Sequence, residues 1–351
     1  MFNFIRRSST VGPVDMERTN QSMGYSNQTG LSLNLKVIGA DAEIALYRGG
    51  NLLAPLSVTS SFHRLLQNEI CEGNPFLSIE DQSKLRHHYP LLLAPDRYPP
   101  KLVERIYVNR RAPAVQVILE EETPMVFDAG CGYGSESFLF ASMGARVLAV
   151  DISTEQIQIA KKRQRYFEEI LGRPLDVTFV VADLDEYNPT MSNVSITWLA
   201  SVLAAVKDQE GFLRRVFEKT REGGKVIITD MNLLNPLFLW NEWRRRKEAI
   251  RRNVEFRQRA DFLAMFKRRD RKGARYFFSR DGESFDDVQF FGADTLSNLL
   301  RNVGFYPQSP SFSGFVPPAL FQMGLGCLEN IFGGLPLLRE LGYFYVVVGI
   351  K

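Results

Sequence analysis

Three closely spaced glycines are the feature of this sequence with the clearest chemical meaning. Gly130, Gly132 and Gly134 follow a short apolar run, and a helix-like segment begins at Ser135. A loop without Cβ atoms lets a ligand approach the backbone, and its amide groups point inward at a helix N-terminus. The pattern therefore predicts a loop that binds a small ligand.

The spacing of the glycines narrows the class of ligand. A dinucleotide-binding loop has the pattern G-x-G-x-x-G, whereas the third glycine here comes one position earlier. Asp128 precedes the loop, and a carboxylate there would repel a pyrophosphate but suits a ligand with an ammonium group. Asp151 ends the next apolar run, where an acid accepts hydrogen bonds from ribose hydroxyls. The pattern thus argues against a dinucleotide-dependent oxidoreductase.

The elements that must position this loop alternate between short apolar runs and longer amphipathic segments. The apolar runs lie at 125–127, 146–150, 177–181, 194–199 and 225–229, and the helix-like segments between them lie at 135–143, 154–171 and 208–221. Runs rich in Val and Ile are typical of strands buried on both faces. The alternation predicts an α/β fold, a doubly wound parallel sheet with helices on both faces.

On these motifs the chain resembles the class I S-adenosylmethionine-dependent methyltransferases. The matching motifs are Asp128–Gly134, Asp151 with Ile152, Ala182–Leu184, Trp198–Leu203 with Asp208, Gly223–Asp230 and Tyr343–Lys351. The resemblance covers roughly 123–235, 290–308 and 340–351. It implies a Rossmann-like seven-stranded sheet with a helical N-terminal cap and an inserted lid.

The resemblance also implies S-adenosylmethionine as the cofactor and methyl transfer to a small-molecule or lipid-like acceptor, with an anionic acceptor as one option. It assigns the ribose to Asp151, the adenine ring to Ile152 and the adenine amino edge to Asp183. The cofactor-binding residues it implies are Asp128, Ala129, Gly130, Cys131, Gly132, Gly134, Asp151, Ile152, Gln156, Ala182, Asp183, Leu184 and Leu199.

The residues that would perform the methyl transfer are less evident. In an in-line displacement the protein mainly aligns the acceptor with the methyl group. A general base helps when the acceptor is a hydroxyl. The family's small-molecule branch often has a histidine after the fourth strand, but this chain reads Leu203–Val206 there. The remaining candidates are His87, His88 and Tyr187. A surface or cap-packing role is the alternative for the two histidines.

The chain divides into three regions with different composition. Residues 1–30 are polar and indicate a flexible leader, 31–122 are expected to form a mainly helical cap region, and 123–351 the methyltransferase domain. An insertion at 236–285 follows the fifth strand, where this family holds a lid over the acceptor. No spacing of the three cysteines or three histidines predicts a metal site.

The insertion carries most of the basic charge. The chain has a net charge of +3, but residues 241–280 alone carry +10 and the remainder carries −7. An apolar stripe with Trp240 and Trp243 accompanies this charge. A basic amphipathic helix can lie on an anionic membrane, bind an acidic acceptor or contact RNA. A solvated helix that packs on the domain is the alternative.

The remaining composition bears on location and partners. No run approaches the ~20 apolar residues of a membrane-spanning helix, no secretory signal is evident, and the cysteine usage fits a reducing compartment. We therefore expect a cytoplasmic protein, with peripheral contact to anionic membranes through 236–280. The acidic remainder argues against a nucleic-acid partner. A non-catalytic cofactor-binding or scaffold protein and an RNA methyltransferase are the alternative functions, and the oligomeric state stays open.

Overall fold

The protein is described by a computed structural model at residues 32–35, 44–47, 55–93, 99–232, 235, 274–279, 285–290, 292–315, 321–328, 331–332, 335 and 341–351. The predicted leader and most of the predicted insertion, with Trp240 and Trp243, lie outside these residues.

The strands are β1 (Ser32–Leu35), β2 (Ile44–Tyr47), β3 (Met125–Ala129), β4 (Arg146–Asp151), β5 (Val177–Val181), β6 (Val194–Ala200), β7 (Thr220–Met231), β8 (Ala274–Ser279), β9 (Phe285–Phe290), β10 (Tyr306–Pro307), β11 (Ser311–Ser313) and β12 (Phe344–Ile350). The helices are α1 (Pro55–Glu72), α2 (Ile79–His88), α3 (Pro90–Leu93), α4 (Pro100–Glu120), α5 (Ser135–Ser142), α6 (Thr154–Leu171), α7 (Gln209–Lys219) and α8 (Ala293–Val303).

The central sheet confirms the predicted doubly wound α/β fold. Its strands are ordered β10-β12-β7-β6-β3-β4-β5, and β11 pairs with β12 as an eighth strand. The strands from β5 to β7 are parallel to one another, whereas β12 runs antiparallel to β7. Two antiparallel hairpins, β1–β2 and β8–β9, form separate two-stranded sheets.

The strand order places a crevice at one edge of the sheet. β3 pairs with β4 on one side and with β6 on the other, so the connections leave it in opposite directions. In an open α/β sheet, a ligand binds outside the carboxyl ends of the strands at such a point. The glycine loop directly follows β3 and therefore lies at this point.

Alternate side chains of the strands point to two hydrophobic cores. Val126 packs in the core that α4, α5 and α6 form with the sheet, where Trp198 is fully buried. Phe127, its neighbour in sequence, packs in the opposite core with residues of α7 and α8. This two-residue period is expected of a strand buried on both faces. It fixes which side of the sheet each residue at the carboxyl edge faces.

Four helices, α1 to α4, lie between the β1–β2 pair and the central sheet. The Ser78 side chain accepts a hydrogen bond from the Asp81 amide at 3.1 Å and so caps α2. α1, α2 and α3 form a third cluster of buried side chains, in which Tyr133 from the glycine loop takes part. The helical region therefore packs against the loop itself.

Among the described residues, no helix is both long enough and apolar enough to cross a membrane.

Candidate functional site

The glycine loop has the backbone conformation for which glycine is suited. Gly130, Gly132 and Gly134 have φ angles of 74°, 53° and 79°, in the left-handed region. The amides of Gly130 and Cys131 donate to the Val150 carbonyl at 2.7 and 3.0 Å. These bonds fold the loop back over the end of β4.

Close packing also excludes side chains from the loop. A Cβ at Gly130 would lie 2.2 Å from Cγ2 of Val202, and a Cβ at Gly134 would lie 3.0 Å from the Phe179 ring. Val202 follows β6, so this contact joins the carboxyl ends of β3 and β6. The loop therefore requires glycine for its conformation and for its packing.

Asp151, the predicted ribose acid, is bonded to the loop. One carboxylate oxygen accepts from the Gly132 amide at 2.8 Å, and the other accepts from the Ser153 amide at 2.9 Å. Ser153 caps α6 by accepting from the Gln156 amide at 3.2 Å. Asp151 is thus not a free acid. Each oxygen can still accept a further hydrogen bond, since a carboxylate oxygen has two lone pairs.

Asp128 lies beneath the loop as a buried acid. Its side chain is 2% exposed and accepts a hydrogen bond from the Ser137 hydroxyl. The pKa of Asp128 is raised to about 8, chiefly by burial; the Ser137 hydrogen bond opposes this shift, and the nearby carboxylates of Glu136 and Asp151 add to it. A cationic ligand group beside it would favour the ionised form.

The end of the site beyond Asp151 is apolar and open. Ile152 is 67% exposed and Val181 is 45% exposed, both large apolar side chains at the carboxyl edge. The Ala182 amide donates to the Asp151 carbonyl at 3.0 Å, which brings the third motif beside the second. Asp183 is exposed, and its carboxylate accepts from the Asp185 amide at 2.9 Å. This arrangement offers a flat ring both an apolar contact and a polar edge.

The other residues implied as cofactor contacts lie at different depths. The Gln156 side-chain oxygen is 3.2 Å from the position of a Cβ at Gly132, so it borders the loop. Four others have buried side chains that pack in the cores: Ala129, Cys131, Leu184 and Leu199. Their roles in cofactor binding stay predictions.

These residues fit S-adenosylmethionine. A side chain is excluded at Gly130, a buried carboxylate lies under the loop, and an acid ends β4 beside exposed apolar side chains. Asp128, Gly130, Gly132 and Asp151 would hold the methionine and ribose portions, and Ile152 with Asp183 the adenine. The bound cofactor would supply an electrophilic methyl group on a sulfonium.

A polar cluster lies at the same edge, where β6 and β7 end. Asp230 is 4% exposed, accepts from the Met231 amide at 2.7 Å and is hydrogen-bonded to the Ser201 side chain. Burial raises the pKa of Asp230 to about 6, against the Met231 amide, the Arg110 charge and the Ser201 hydrogen bond. Its carboxylate therefore gains a proton in the range near neutrality.

Two residues around Asp230 have unusual surroundings. Ser201 has a φ of 55°, an unfavourable left-handed conformation for a residue with a Cβ, and its amide donates to the Thr229 carbonyl at 2.8 Å. Arg110 comes from α4, donates from Nε to the Thr229 hydroxyl at 2.9 Å and lies 4.6 Å over the Phe344 ring. Residues of α4, β7, β12 and the turn after β6 thus meet beside the loop.

A second arginine of α4 joins this helix to the first turn of α5, directly after the loop. Arg111 donates from Nε and Nη2 to one oxygen of Glu136 at 3.0 and 2.7 Å. Within the described part of the chain, Arg111 Nη1 and His63 Nδ1 are buried without a hydrogen-bond partner. Burial lowers the pKa of His63 to about 4, with the Arg111 charge acting in the same direction. His63 is therefore neutral near pH 7.

The three predicted catalytic side chains are not brought together. His87 is exposed at the end of α2, and the exposed His88 ring lies 4.9 Å from the Tyr133 ring of the loop. Tyr187 packs 6.3 Å from Phe127, on the face of the sheet that α7 and α8 cover. His88 is thus the candidate beside the loop. Catalytic roles for all three stay predictions.

Sequence reasoning did not identify Arg110, Ser201 and Asp230 as site residues. Thr229 and Asp230 were recognisable only as the end of the fifth strand, and Ser201 as part of the turn after the fourth. For Ser201 and Asp230, the sequence offered only their positions at the ends of two strands. Side chains at the carboxyl ends of parallel strands meet at one edge of the sheet. For Arg110, on a helix before the sheet, no sequence signal was present.

Comparison with known proteins identifies the domain. A family model described as "Methyltransferase domain" matches residues 121–279. Over 106 residues the chain is 28% identical to phosphoethanolamine N-methyltransferase 1 of Triticum aestivum and 27% identical to malonyl-[acyl-carrier protein] O-methyltransferase of Salmonella typhimurium strain LT2. Each alignment covers 30% of this chain, but only 20% and 38% of those two relatives.

Solved structures include a crystal structure of an S-adenosylmethionine-dependent methyltransferase from Thermotoga maritima. It aligns with 78% of this chain and 100% of its own, at 15% identity and a TM-score of 0.45. The family model, the ordered motifs and the geometry of the loop agree. Residues 121–279 therefore form a class I S-adenosylmethionine-dependent methyltransferase domain, whose cofactor is S-adenosylmethionine.

Proposed function

We propose that this protein transfers the methyl group of S-adenosylmethionine to a small-molecule or lipid-like acceptor that carries an anionic group. The observation that carries the proposal is the Arg110–Asp230 cluster at the carboxyl edge, next to the glycine loop. Val202 contacts Gly130, and Ser201 precedes Val202, so the cluster borders the cofactor loop. An acceptor there would lie beside the cofactor.

Arg110 is the group suited to an anionic acceptor. Burial lowers the pKa of its guanidinium, but arginine stays charged in proteins. Its Nε is used by Thr229, and its planar head is stacked on Phe344, so its orientation is fixed. A fixed guanidinium is suited to recognise carboxylates and phosphates through paired hydrogen bonds. The names of the two relatives support this choice, because phosphoethanolamine and a malonyl group are both anionic.

Asp230 is suited to accept a proton from the acceptor. A base works best when its pKa lies near the working pH, and Asp230 has a pKa of about 6. If the acceptor is a hydroxyl or an amine, its proton would pass to the Asp230 carboxylate or through the Ser201 hydroxyl. His88, His87 and Tyr187 are the other bases that we propose to test, with His88 first because of its position beside Tyr133.

A panel of acceptors tests the proposed function. The protein would be incubated with S-adenosylmethionine labelled in its methyl group and with phosphoethanolamine, ethanolamine or malonyl-acyl carrier protein. We expect label in at least one anionic acceptor and less in ethanolamine, which lacks the phosphate. Arg110→Gln should raise KM for that acceptor about tenfold or more and leave the cofactor Kd unchanged.

Two results would contradict this reading. Equal transfer to ethanolamine and phosphoethanolamine would exclude an anion requirement. Cofactor binding without transfer to any small acceptor would favour the non-catalytic alternative.

We also propose that the protein contacts anionic membranes through the basic segment 236–280. The support is the charge of +10 that residues 241–280 carry, together with the apolar stripe in the sequence. A lipid-like acceptor would then be reached at the membrane surface. A vesicle-binding measurement tests this point separately from methyl transfer.

A further inference from the structure

A fully buried ion pair joins α1 to α6. The Arg163 side chain donates from Nε and Nη2 to the two Glu69 oxygens at 2.8 and 2.5 Å, and both side chains are 0% exposed. Removing two charges from water is costly, and replacing such a pair with apolar residues of similar size is often neutral or stabilising. Stability alone is therefore a weak reason for this pair.

The third nitrogen of Arg163 reaches the cofactor loop. Nη1 donates to the Tyr133 carbonyl at 2.5 Å and to the Ser135 hydroxyl at 3.1 Å. Tyr133 lies between Gly132 and Gly134, both of which are left-handed. The N–H of the Tyr133–Gly134 peptide, on Gly134, donates to the Cys131 carbonyl at 2.8 Å, so the loop itself holds the amide side of this peptide. Arg163 holds its carbonyl side, at the centre of the loop.

The N-terminal helices hold Arg163 in place. The Asn74 side-chain amide donates to Glu69 at 2.8 Å, and the Tyr89 hydroxyl is hydrogen-bonded to Ser135. The Tyr133 ring itself is buried among side chains of α1 and α2. The loop is therefore bounded by the sheet on one side and by residues of the cap on the other.

We propose that the Glu69–Arg163 pair is a positioning device for the cofactor loop, through which the N-terminal helices set the affinity for S-adenosylmethionine. Glu69 orients the guanidinium, and the guanidinium orients the Tyr133 peptide. The loop then already has its binding conformation before the cofactor arrives. This gives the region before the methyltransferase motifs a part in cofactor binding.

Two variants separate positioning from stability. Arg163→Lys keeps a positive charge beside Glu69, but an ammonium cannot supply the planar fork that reaches both Glu69 and Tyr133. The double variant Glu69→Leu with Arg163→Met removes the charges and keeps apolar volume. For both variants we expect a Kd for S-adenosylmethionine about tenfold or more above the wild-type value, measured by calorimetry. We also expect faster amide hydrogen exchange in residues 130–136 without ligand.

A neighbouring ion pair supplies the control. Lys162 contacts Asp81 at 2.6 Å and also joins α6 to the cap, but it is exposed and does not touch the loop. Asp81→Asn with Lys162→Met should therefore leave the Kd and the exchange of 130–136 unchanged.

Thermal unfolding shows which variants fold. If the double variant does not unfold cooperatively, Arg163→Lys alone decides the question. Wild-type cofactor affinity in folded Arg163→Lys, or in a folded double variant, would overturn the proposal and leave the pair a structural one. These measurements need no methyl acceptor, so they are independent of the proposed acceptor class.

Discussion

Asp151 and Gly132 are joined by a hydrogen bond of 2.8 Å from the glycine amide to the carboxylate. The acid expected to bind the ribose therefore also holds the loop expected to bind the methionine portion. A single substitution at Asp151 is therefore expected to affect both ends of the cofactor site.

We predict that Asp151→Ala weakens S-adenosylmethionine binding by about 1.5–3 kcal/mol, because it removes hydrogen bonds to a charged acceptor. The loss is about tenfold to a hundredfold in Kd and is measured by calorimetric titration. Asp176→Ala is the matched control, since Asp176 is an exposed acid whose ion pair with Arg146 lies on the surface. Unchanged affinity in a folded Asp151→Ala protein would show that the residue is only a loop acid.

Gly130→Ala should impair both folding stability and cofactor binding. The new methyl group would lie 2.2 Å from Cγ2 of Val202, in addition to the cost of about 1–2 kcal/mol for a left-handed φ. Gly144→Ala isolates that second cost, because Gly144 has a φ of 90° and nothing within 4 Å of its Cβ position. Thermal unfolding and calorimetry of the two variants provide the comparison.

A substitution at Val202 tests whether the contact with this side chain causes the losses in Gly130→Ala. Val202→Ala removes the 2.2 Å contact but leaves a Cβ 2.6 Å away, so it should rescue Gly130→Ala only in part. If Gly130→Ala and Gly144→Ala lose equal stability, the contact between the new methyl group and Val202 is easily relieved.

Asp128 should make stability depend on pH. Its folded pKa of about 8 is above the ordinary value of 3.8, so the folded protein retains a proton that the unfolded chain releases. Its contribution is fully present below about pH 4 and is lost as the pH rises to about 8, at up to about 1.4 kcal/mol per pH unit. Urea unfolding across this range should show a slope in the wild type that Asp128→Asn lacks. The same slope in both proteins would contradict the assignment.

Asp128 should also make cofactor binding depend on pH. An ammonium group of the ligand favours the carboxylate, so affinity is expected to increase as the pH approaches the pKa of about 8. Calorimetry in buffers of different ionisation enthalpy should detect a proton released from Asp128 on binding. Asp128→Asn should show weaker binding and a smaller release; an unchanged release would assign the proton to another group.

The basic segment should direct the protein to acidic vesicles. Each Lys or Arg near an anionic surface contributes about 1 kcal/mol, and salt screens the attraction. We expect flotation with acidic vesicles but not with neutral ones, and less of it at higher salt. Reversal of Arg244, Arg245 and Arg246 to Glu should abolish it without changing cofactor affinity.

Three exposed basic residues outside the segment form the control set for that experiment. Reversal of Lys161, Arg165 and Lys207 removes the same charge from the rest of the protein. If this set has the same effect, or if acidic lipid is not preferred at low salt, the membrane proposal is wrong.

The part of the site expected to bind the cofactor was predictable from sequence because its residues are close along the chain. Gly130 to Gly134 follow one strand, and Asp151 ends the next, so strand pairing alone brings them together. The acceptor half was not predictable in this way. Arg110 and Thr229 are 119 residues apart, and only the path of α4 across the edge of the sheet brings them into contact.

Boundaries were less predictable than elements. The sequence predicts a helix over 208–221, but α7 ends at Lys219 and β7 begins at Thr220. Thr220 pairs with Val194, and the register with β6 then shifts before Ile196 pairs with Lys225. Gly223, with a φ of 73°, accommodates this irregularity within the strand. Gly223 and Gly224 thus lie inside a continuous strand that begins before the motif.

The contact between Phe62 and Phe167 has a consequence for where this protein can be cut. The two rings stack at 5.6 Å, and α4 contributes Ala114, Val115 and Ile118 to the same core as Val126 of β3. The segment recognised as a methyltransferase domain begins at residue 121, inside this packing. We therefore expect the unit that folds cooperatively to be larger than the unit that is recognised by similarity. Limited proteolysis should yield a resistant fragment that still contains α1, and excision at residue 121 should yield an aggregating one.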